Sequence, residues 1–239
     1  ILSDSGDRVC LLSSTGSRLW CSKFSVRGCP LVRAFSSENA YLVGANKELY
    51  YLDGSGKVVW KKEFWDNINR IIVPKNGKNI IVCKEYGGIR SLDTSGNVLW
   101  GWYKEWAWYC RAAVTDDGSR VLAFCERGQK SGIYLLDNKG RELWNYGSNT
   151  VAADITGDGS YIIGAFSGED GTKLVLLDRD GYTIWTKTMS RRVKDLHISD
   201  DGSRIVISTD KGIVLLDGEG DEIISKTEEE PPWAVYYSD

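Results

Sequence analysis

One short phrase recurs six times along the chain: LLSSTGSRLW, YLDGSGKVVW, SLDTSGNVLW, LLDNKGRELW, LLDRDGYTIW and LLDGEGDEII. The shared pattern is Leu, then Asp or Ser, two variable residues, Gly, three variable residues and Trp, with Ile224 replacing Trp in the last copy. The acidic or Ser position falls at Ser13, Asp53, Asp93, Asp137, Asp178 and Asp217, giving steps of 40, 40, 44, 41 and 39 residues. A fixed period of this length marks a repeat architecture, in which one supersecondary unit cannot bury its apolar face alone and stacks against the next copy.

Each unit reads as two hairpins. Asp-x-x-Gly suits a tight turn, because Asp caps the turn and Gly takes the positive φ of a bulge; the residues that follow lead to the Trp as an outer strand. A second hairpin lies upstream of each phrase, clearest in AAVTDDGSRVLAF, ADITGDGSYIIGAF and LHISDDGSRIVIS and looser in IIVPKNGKNIIVC and VRAFSSENAYLVG. Four short antiparallel strands per period are the signature of a β-propeller blade. No stretch sustains a 3.6-residue period over three turns, so helical repeats are set aside. The expected fold is all-β, a single six-bladed β-propeller domain. Blade 1 takes residues 1–24 plus 232–239, blade 2 29–64, blade 3 69–106, blade 4 108–147, blade 5 150–189 and blade 6 192–228. The C-terminal WAVYYSD matches an innermost strand with nothing after it, and the N-terminal segment lacks one, so the last strand is expected to complete the first blade and close the ring.

The repeated Leu-Asp-x-x-Gly-x-x-x-Trp, through residues 11 to 224, resembles the pyrroloquinoline-quinone-like propeller repeat of quinoprotein dehydrogenases and of non-catalytic relatives such as the outer-membrane assembly lipoprotein. It covers nearly the whole chain. The resemblance implies the fold; Asp, Gly and Trp are elements of the blade, so it says less about activity. The family's dehydrogenases typically have eight blades, calcium beside the quinone and often a vicinal disulfide, whereas this sequence has six repeats, no adjacent Cys pair and no evident calcium cluster.

Successive strand residues point to opposite faces. In the innermost strands one parity is almost wholly apolar (Ile71, Ala112, Ala153, Leu196, Val235) and is expected between blades. The other parity is then left to line the central channel, where Arg70, Arg111, Asp154, Asp195, His197 and Tyr236 would meet. Two readings stand: a polar site for a small ligand or ion, or a water-filled channel whose Arg and Asp compensate one another.

Net charge is −3 with both signs interleaved, which gives no basic face for nucleic acid and no polybasic membrane patch. Apolar runs last a few residues, far short of the roughly 20 that span a bilayer, so no transmembrane segment is expected. The chain starts with Ile; an upstream signal peptide and an extracellular, periplasmic or cell-surface location are the expectation, with a cytoplasmic location as the alternative. Six cysteines show no C-x-x-C spacing and there is one histidine, so neither a metal site nor a cofactor is expected. Cys83, Cys110 and Cys125 lie in β-like apolar runs and read as buried thiols; Cys21 and Cys29 flank the SKFSVRG loop and can bridge in an oxidising compartment.

Only His197 could serve a Ser-His-Asp or Cys-His site, and no Ser has a nucleophile-elbow context. DITGDG, Asp154 to Gly159, superficially resembles a calcium loop but lacks the distal acid and aligns with ordinary turns. Trp20, Trp60, Trp100, Trp144 and Trp185 recur seven residues after the turn position and read as packing between blades. Trp65, Trp102, Trp106, Trp108 and Trp233 do not recur. With Tyr103 they lie in or near connections from one blade's outer strand to the next blade's inner strand. If exposed, Trp65, Trp102, Tyr103, Trp106 and Trp108 form a patch for a protein or glycan partner; if buried, they wedge the connections in place, the reading favoured for Trp108. The expected role is a non-catalytic binding or structural module. The alternative is a quinone- or sugar-dependent enzyme using Arg70, Arg111, Asp154 and His197 over the channel.

Overall fold

The computed structural model describes residues 2–3, 8–24, 30–35, 39–86 and 88–227. Among them are twenty-three strands and no helix, hence no helix long and apolar enough to cross a membrane. The chain divides into two compact units, Ile1–Tyr103 and Lys104–Asp239, where a single domain is expected from the repeats.

The first unit holds three antiparallel sheets. They are β1 (Leu2–Ser3), β2 (Arg8–Leu12) and β3 (Arg18–Lys23); β4 (Leu31–Phe35), β5 (Ala40–Ala45), β6 (Glu48–Leu52) and β7 (Val58–Glu63); and β8 (Ile68–Ile72), β9 (Ile80–Lys84), β10 (Gly88–Leu92) and β11 (Val98–Tyr103). The second unit holds three more: β12 (Trp108–Val114), β13 (Arg120–Arg127), β14 (Gly132–Asp137) and β15 (Glu142–Tyr146); β16 (Thr150–Ile155), β17 (Tyr161–Gly168), β18 (Gly171–Asp178) and β19 (Thr183–Met189); and β20 (Val193–Ile198), β21 (Arg204–Thr209), β22 (Gly212–Asp217) and β23 (Glu222–Thr227). Among the described residues each sheet is a meander in chain order, the first of three strands and the others of four. WAVYYSD, with Trp233, Val235 and Tyr236, lies outside the described residues.

The repeated phrase builds the last hairpin of every sheet. In the second copy, Asp53 Oδ1 accepts the amides of Ser55 and Lys57 at 2.9 and 3.1 Å. Gly56 takes φ +83°, and the register slips by a bulge between Tyr51 and Leu52. The same slip recurs in all six sheets, after Leu11, Tyr51, Ser91, Leu135, Leu176 and Leu215. Gly is needed at the turn for a second reason. A Cβ on Gly56 would sit 2.5 Å from the ring of Trp20, the indole of the preceding sheet, whose Nε1 donates to Gly54 O at 3.1 Å. Trp60, Trp144 and Trp185 repeat the seat, donating to Thr94, Arg179 and Gly218 carbonyls. Trp100 is buried too, and its Nε1 has no hydrogen-bond partner among the described residues.

The core therefore lies between successive sheets of each unit. Val9, Phe24, Tyr41 and Val43 pack with Trp20; Leu42, Leu49, Ile71 and Ile80 with Trp60; Leu122, Leu135, Ile155 and Val175 with Trp144; Ile163, Leu174, Leu196 and Ile205 with Trp185. Fully burying such side chains contributes about 1.5–3 kcal/mol each, and this apolar burial is what an isolated sheet cannot achieve.

The cysteines depart from expectation. Cys10–Cys21 and Cys110–Cys125 are disulfides, with Cα atoms 4.1 and 4.0 Å apart. Each joins residues directly opposite on adjacent strands, a proximity set by strand register, which loop-flanking arguments ignore. Cys110 and Cys125 are thus not thiols, Cys21 pairs with Cys10, and Cys29 lies outside the described residues. Cys83 is buried on β9 outside both disulfides.

Candidate binding surfaces and a charge network of the second unit

In the second unit, β12, β16 and β20, the first strands of their sheets, carry Arg111, Asp154, Asp195 and His197. Arg111 pairs with Glu126 of β13 and lies 3.9 Å from Asp195, while His197 Nδ1 stands 2.7 Å from Asp154 Oδ2. Asp154, only 7 % exposed, also accepts the Ile198 amide. Arg111 is thus shared between Glu126 and Asp195, and His197 faces Asp154, so each of these side chains has an opposite or hydrogen-bonding neighbour. Arg70 belongs to the first unit, on β8, where its Nε is buried with no hydrogen-bond partner among the described residues, and Tyr236 is not described. In DITGDG, Asp158 accepts the Thr156 hydroxyl and the Ser160 amide of a hairpin turn, and Asp154 faces His197. Among the described residues no group of three or more acidic, His or Cys side chains could hold a metal.

The aromatic candidates separate. Trp102 is 5 % exposed on β11, opposite Ile89, so it is packing and presents nothing to a partner: its alternation on the strand points it inward while Tyr103, next to it, is exposed. Trp108 lies at the head of β12, opposite Arg127. Trp106, Trp65 and Tyr103 are exposed, at 64 %, 60 % and 55 %.

Trp106 sits in a turn that the backbone defines tightly. The Ala107 amide bonds to Lys104 O, and Trp106 takes φ +61°. Five described non-glycine residues have positive φ: Asn39, Asn46 and Asn149, the type that tolerates it, and Trp106 and Tyr109. A bulky side chain there costs roughly 1–3 kcal/mol. Both aromatics lie in or at the edge of the connection into β12 and both are exposed. The turn is held in place: Gly128, in the β13–β14 loop, approaches so closely that a Cβ would lie 1.9 Å from Trp106 O. Lys104 donates twice to Glu142 and lies over the Tyr134 ring at 4.4 Å.

Trp65 sits on the connection between β7 and β8, beside the β9–β10 loop that carries Tyr86, which is 52 % exposed. The two are tied by one buried carboxylate: Asp66 accepts the Asn67 amide at 2.7 Å and the Tyr86 amide at 2.8 Å. Asn67 O accepts from the Glu85 amide, and the Asn67 side chain donates to Glu85. Beneath Trp65 lies Lys84, 1 % exposed, its Nζ 3.9 Å from the ring centroid. Burial pulls its ammonium down to about 8, Arg90 adds to the shift, and Asp66 opposes it. Neither Lys84 nor Tyr86 carries a repeating signal in the sequence; what marks them is a charge at a buried strand position and an aromatic at a loop tip.

Two grooves lie elsewhere. A groove of about 580 Å³, lined among others by Arg120, Trp144, Asp158 and Arg179, runs between the fourth and fifth sheets, and an equivalent of about 370 Å³ beside Trp185 runs between the fifth and sixth. They are products of the repeat itself, since each is walled by the repeat's indole and a turn Asp.

Among known families, the profile described as outer membrane protein assembly factor BamB matches residues 5–128, more than half of the chain. No curated protein matches it.

Proposed function

This chain belongs to the family of the outer membrane protein assembly factor BamB, and on that premise we propose that it is a non-catalytic β-propeller module that binds a protein partner through the exposed aromatics of its inter-sheet connections. The observation that carries this is Trp106: an indole 64 % exposed, in a backbone conformation that favours Gly or Asn. Core packing does not require it there, and the strain is retained at a held, solvent-facing turn. The family's role, that of an assembly factor, favours a protein over a glycan.

The propeller is proposed to close with six blades, the C-terminal strand completing the first. Support comes from the first sheet, which among the described residues has three strands where every other has four. Deleting residues 232–239 is expected to destabilise the fold; unchanged unfolding would sink the closure. Export to an oxidising compartment, periplasmic or at the cell surface, is supported by the two disulfides and by the family's outer-membrane association. The absence of catalysis is proposed because the cations and carboxylates of β12, β16 and β20 are engaged with one another.

Immobilised wild-type protein and its Trp106→Gly variant are compared for what they retain from a cell-envelope extract, with a glycan array in parallel. A protein retained by the wild type and lost from the variant is expected. The same proteins on both, or glycan binding alone, would refute the reading. Quinone with calcium is expected to give neither a bound chromophore nor dye-linked oxidation.

A further inference from the structure

We infer that the Trp65–Tyr86 surface, with Lys84 beneath it, is a docking site for an acidic peptide segment of the protein partner. The inference rests on the protein-binding reading above and names the chemistry of one contact within it.

Cations are drawn to the face of an indole. Here Lys84 already holds the inner face of Trp65, with its Nζ 3.9 Å from the centroid. A second cation at a like distance on the outer face would sit about 8 Å from the first and be repelled, whereas a carboxylate flanking the ring, off its electron-rich face, would be attracted. The charges around Lys84 are Arg90, which adds positive charge, Asp66, which offsets it, and Glu85 of the β9–β10 loop, whose carboxylate is tied to the Asn67 side chain. Asp66 is itself 4 % exposed and spends its oxygens on the two loop amides. The positive charge is therefore internal, while the surface above it is aromatic. A buried ammonium is screened less by salt than an exposed lysine, and its direction of action is fixed because it is held against Gly88, where an added Cβ would lie 2.8 Å from both Lys84 Cε and Nζ.

The surface is also preorganised. The Asp66 and Asn67 hydrogen bonds fix the two loops to each other before any ligand arrives, so little ordering entropy remains to be lost on binding. Two exposed rings on fixed loops supply apolar contact, and the charge below selects what flanks the residue that covers them. An acidic segment with interspersed Phe or Leu fits this chemistry. A basic segment does not, and a sugar gains nothing from the buried cation.

The test uses three fluorescein-labelled peptides in which Phe and Leu alternate with Glu, with Gln or with Lys, read by anisotropy at low salt. The Glu peptide is expected to bind about tenfold more tightly than the Gln peptide, the scale of one unit charge acting across a ring at a protein surface, and the Lys peptide most weakly. Lys84→Met is expected to abolish the preference while leaving the Gln peptide's affinity unchanged. Gly88→Ala retains the charge but displaces it, and is expected to reduce the preference. Trp65→Ala weakens all three. Failure of every peptide to bind, equal binding of the Glu and Gln peptides, or a preference that survives Lys84→Met would each overturn the inference. Those failures are separable from failure of the broader reading, which is decided by the Trp106→Gly comparison in the other unit.

Discussion

Gly16 and Gly56 occupy the same position of the same turn with nearly the same backbone, φ +81° and +83°, yet only one lies under an indole. An added Cβ at Gly16 meets nothing within 4 Å, whereas at Gly56 it would lie 2.5 to 2.9 Å from three ring atoms of Trp20. Both are in the first unit, so Gly16→Ala serves as the control for Gly56→Ala. The shared cost is the left-handed backbone, roughly 1–2 kcal/mol for a residue with a Cβ, partly offset by the lower entropy of the unfolded chain; Gly16→Ala should therefore cost about 1 kcal/mol. Gly56→Ala adds overpacking against rigid ring carbons, about 1–3 kcal/mol, and strains the Trp20 Nε1 bond to Gly54 O, about 1 kcal/mol net. A total of about 3–5 kcal/mol is expected. Urea unfolding followed by tryptophan fluorescence reads both, provided the m-value is unchanged. Equal destabilisation by the two substitutions would refute the claim that the repeat's Gly exists to seat the indole.

Trp106→Gly should move stability by no more than about 1 kcal/mol, because the small apolar burial of an exposed ring is balanced by relief of positive-φ strain, whereas Trp144→Ala, in the same unit, should cost about 3–5 kcal/mol; similar losses would mean Trp106 is core. Acid should destabilise the turns: Asp201 is held down to about 2 by hydrogen bonds from the Ser199 hydroxyl and then the Ser203 amide, against 3.8 unperturbed, and Asp53, Asp93 and Asp158 are lowered by side-chain bonds from Ser55, Asn97 and Ser160. A depressed carboxylate stabilises above its unfolded value and ceases to do so as pH falls through the folded one, so stability should drop between about pH 4 and pH 2, and Asp201→Asn should shallow that drop in urea midpoints. Lys84 has the opposite sense: at about 8 in the fold against 10.5 when unperturbed, it leaves the unfolded chain binding more protons between those values, so stability should rise with pH there. Lys84→Met should raise stability at neutral pH and flatten this rise; a slope that persists would show that Lys84 is not its source.

Whatever recurs could be read in the sequence. The Asp-x-x-Gly turn, the bulge before it and the indole seven residues on are each fixed by local chemistry, and four of the six phrases carry Asp, Gly and Trp together. Face assignment by alternation was nearly as legible: Ile71, Ala112, Ala153 and Leu196 are buried while Arg111, Asp195 and His197 face a common network. The disulfides were missed although a signal existed. Cys110 and Cys125 each stand five residues from Thr115 and Arg120, the pair that closes their turn, so the register that the turn sets makes them opposite neighbours. At Cys10 and Cys21 the bulge after Leu11 shifts that count by one, which is why symmetric counting alone would pass over it. Lys84 could not be found this way, since no local rule puts a lysine where the strand is buried on both faces.

That contrast bears on where function resides. A repeat constrains each position to serve the same packing in every copy, so a residue that departs from the pattern is either tolerated at no cost or retained despite one. Ile224, in place of Trp and 57 % exposed, is a departure without strain. Trp106 and Tyr109 depart with strain, and Lys84 departs with the cost of burying a charge, which elsewhere in proteins is avoided or paired. Their cost is specific to one place each and is matched by no gain in the core, since Trp106 and Tyr109 are exposed and Lys84 lies against the exposed ring of Trp65. A residue that weakens the fold and yet stands at, or directly under, the surface has its compensation outside the fold, in what that surface meets.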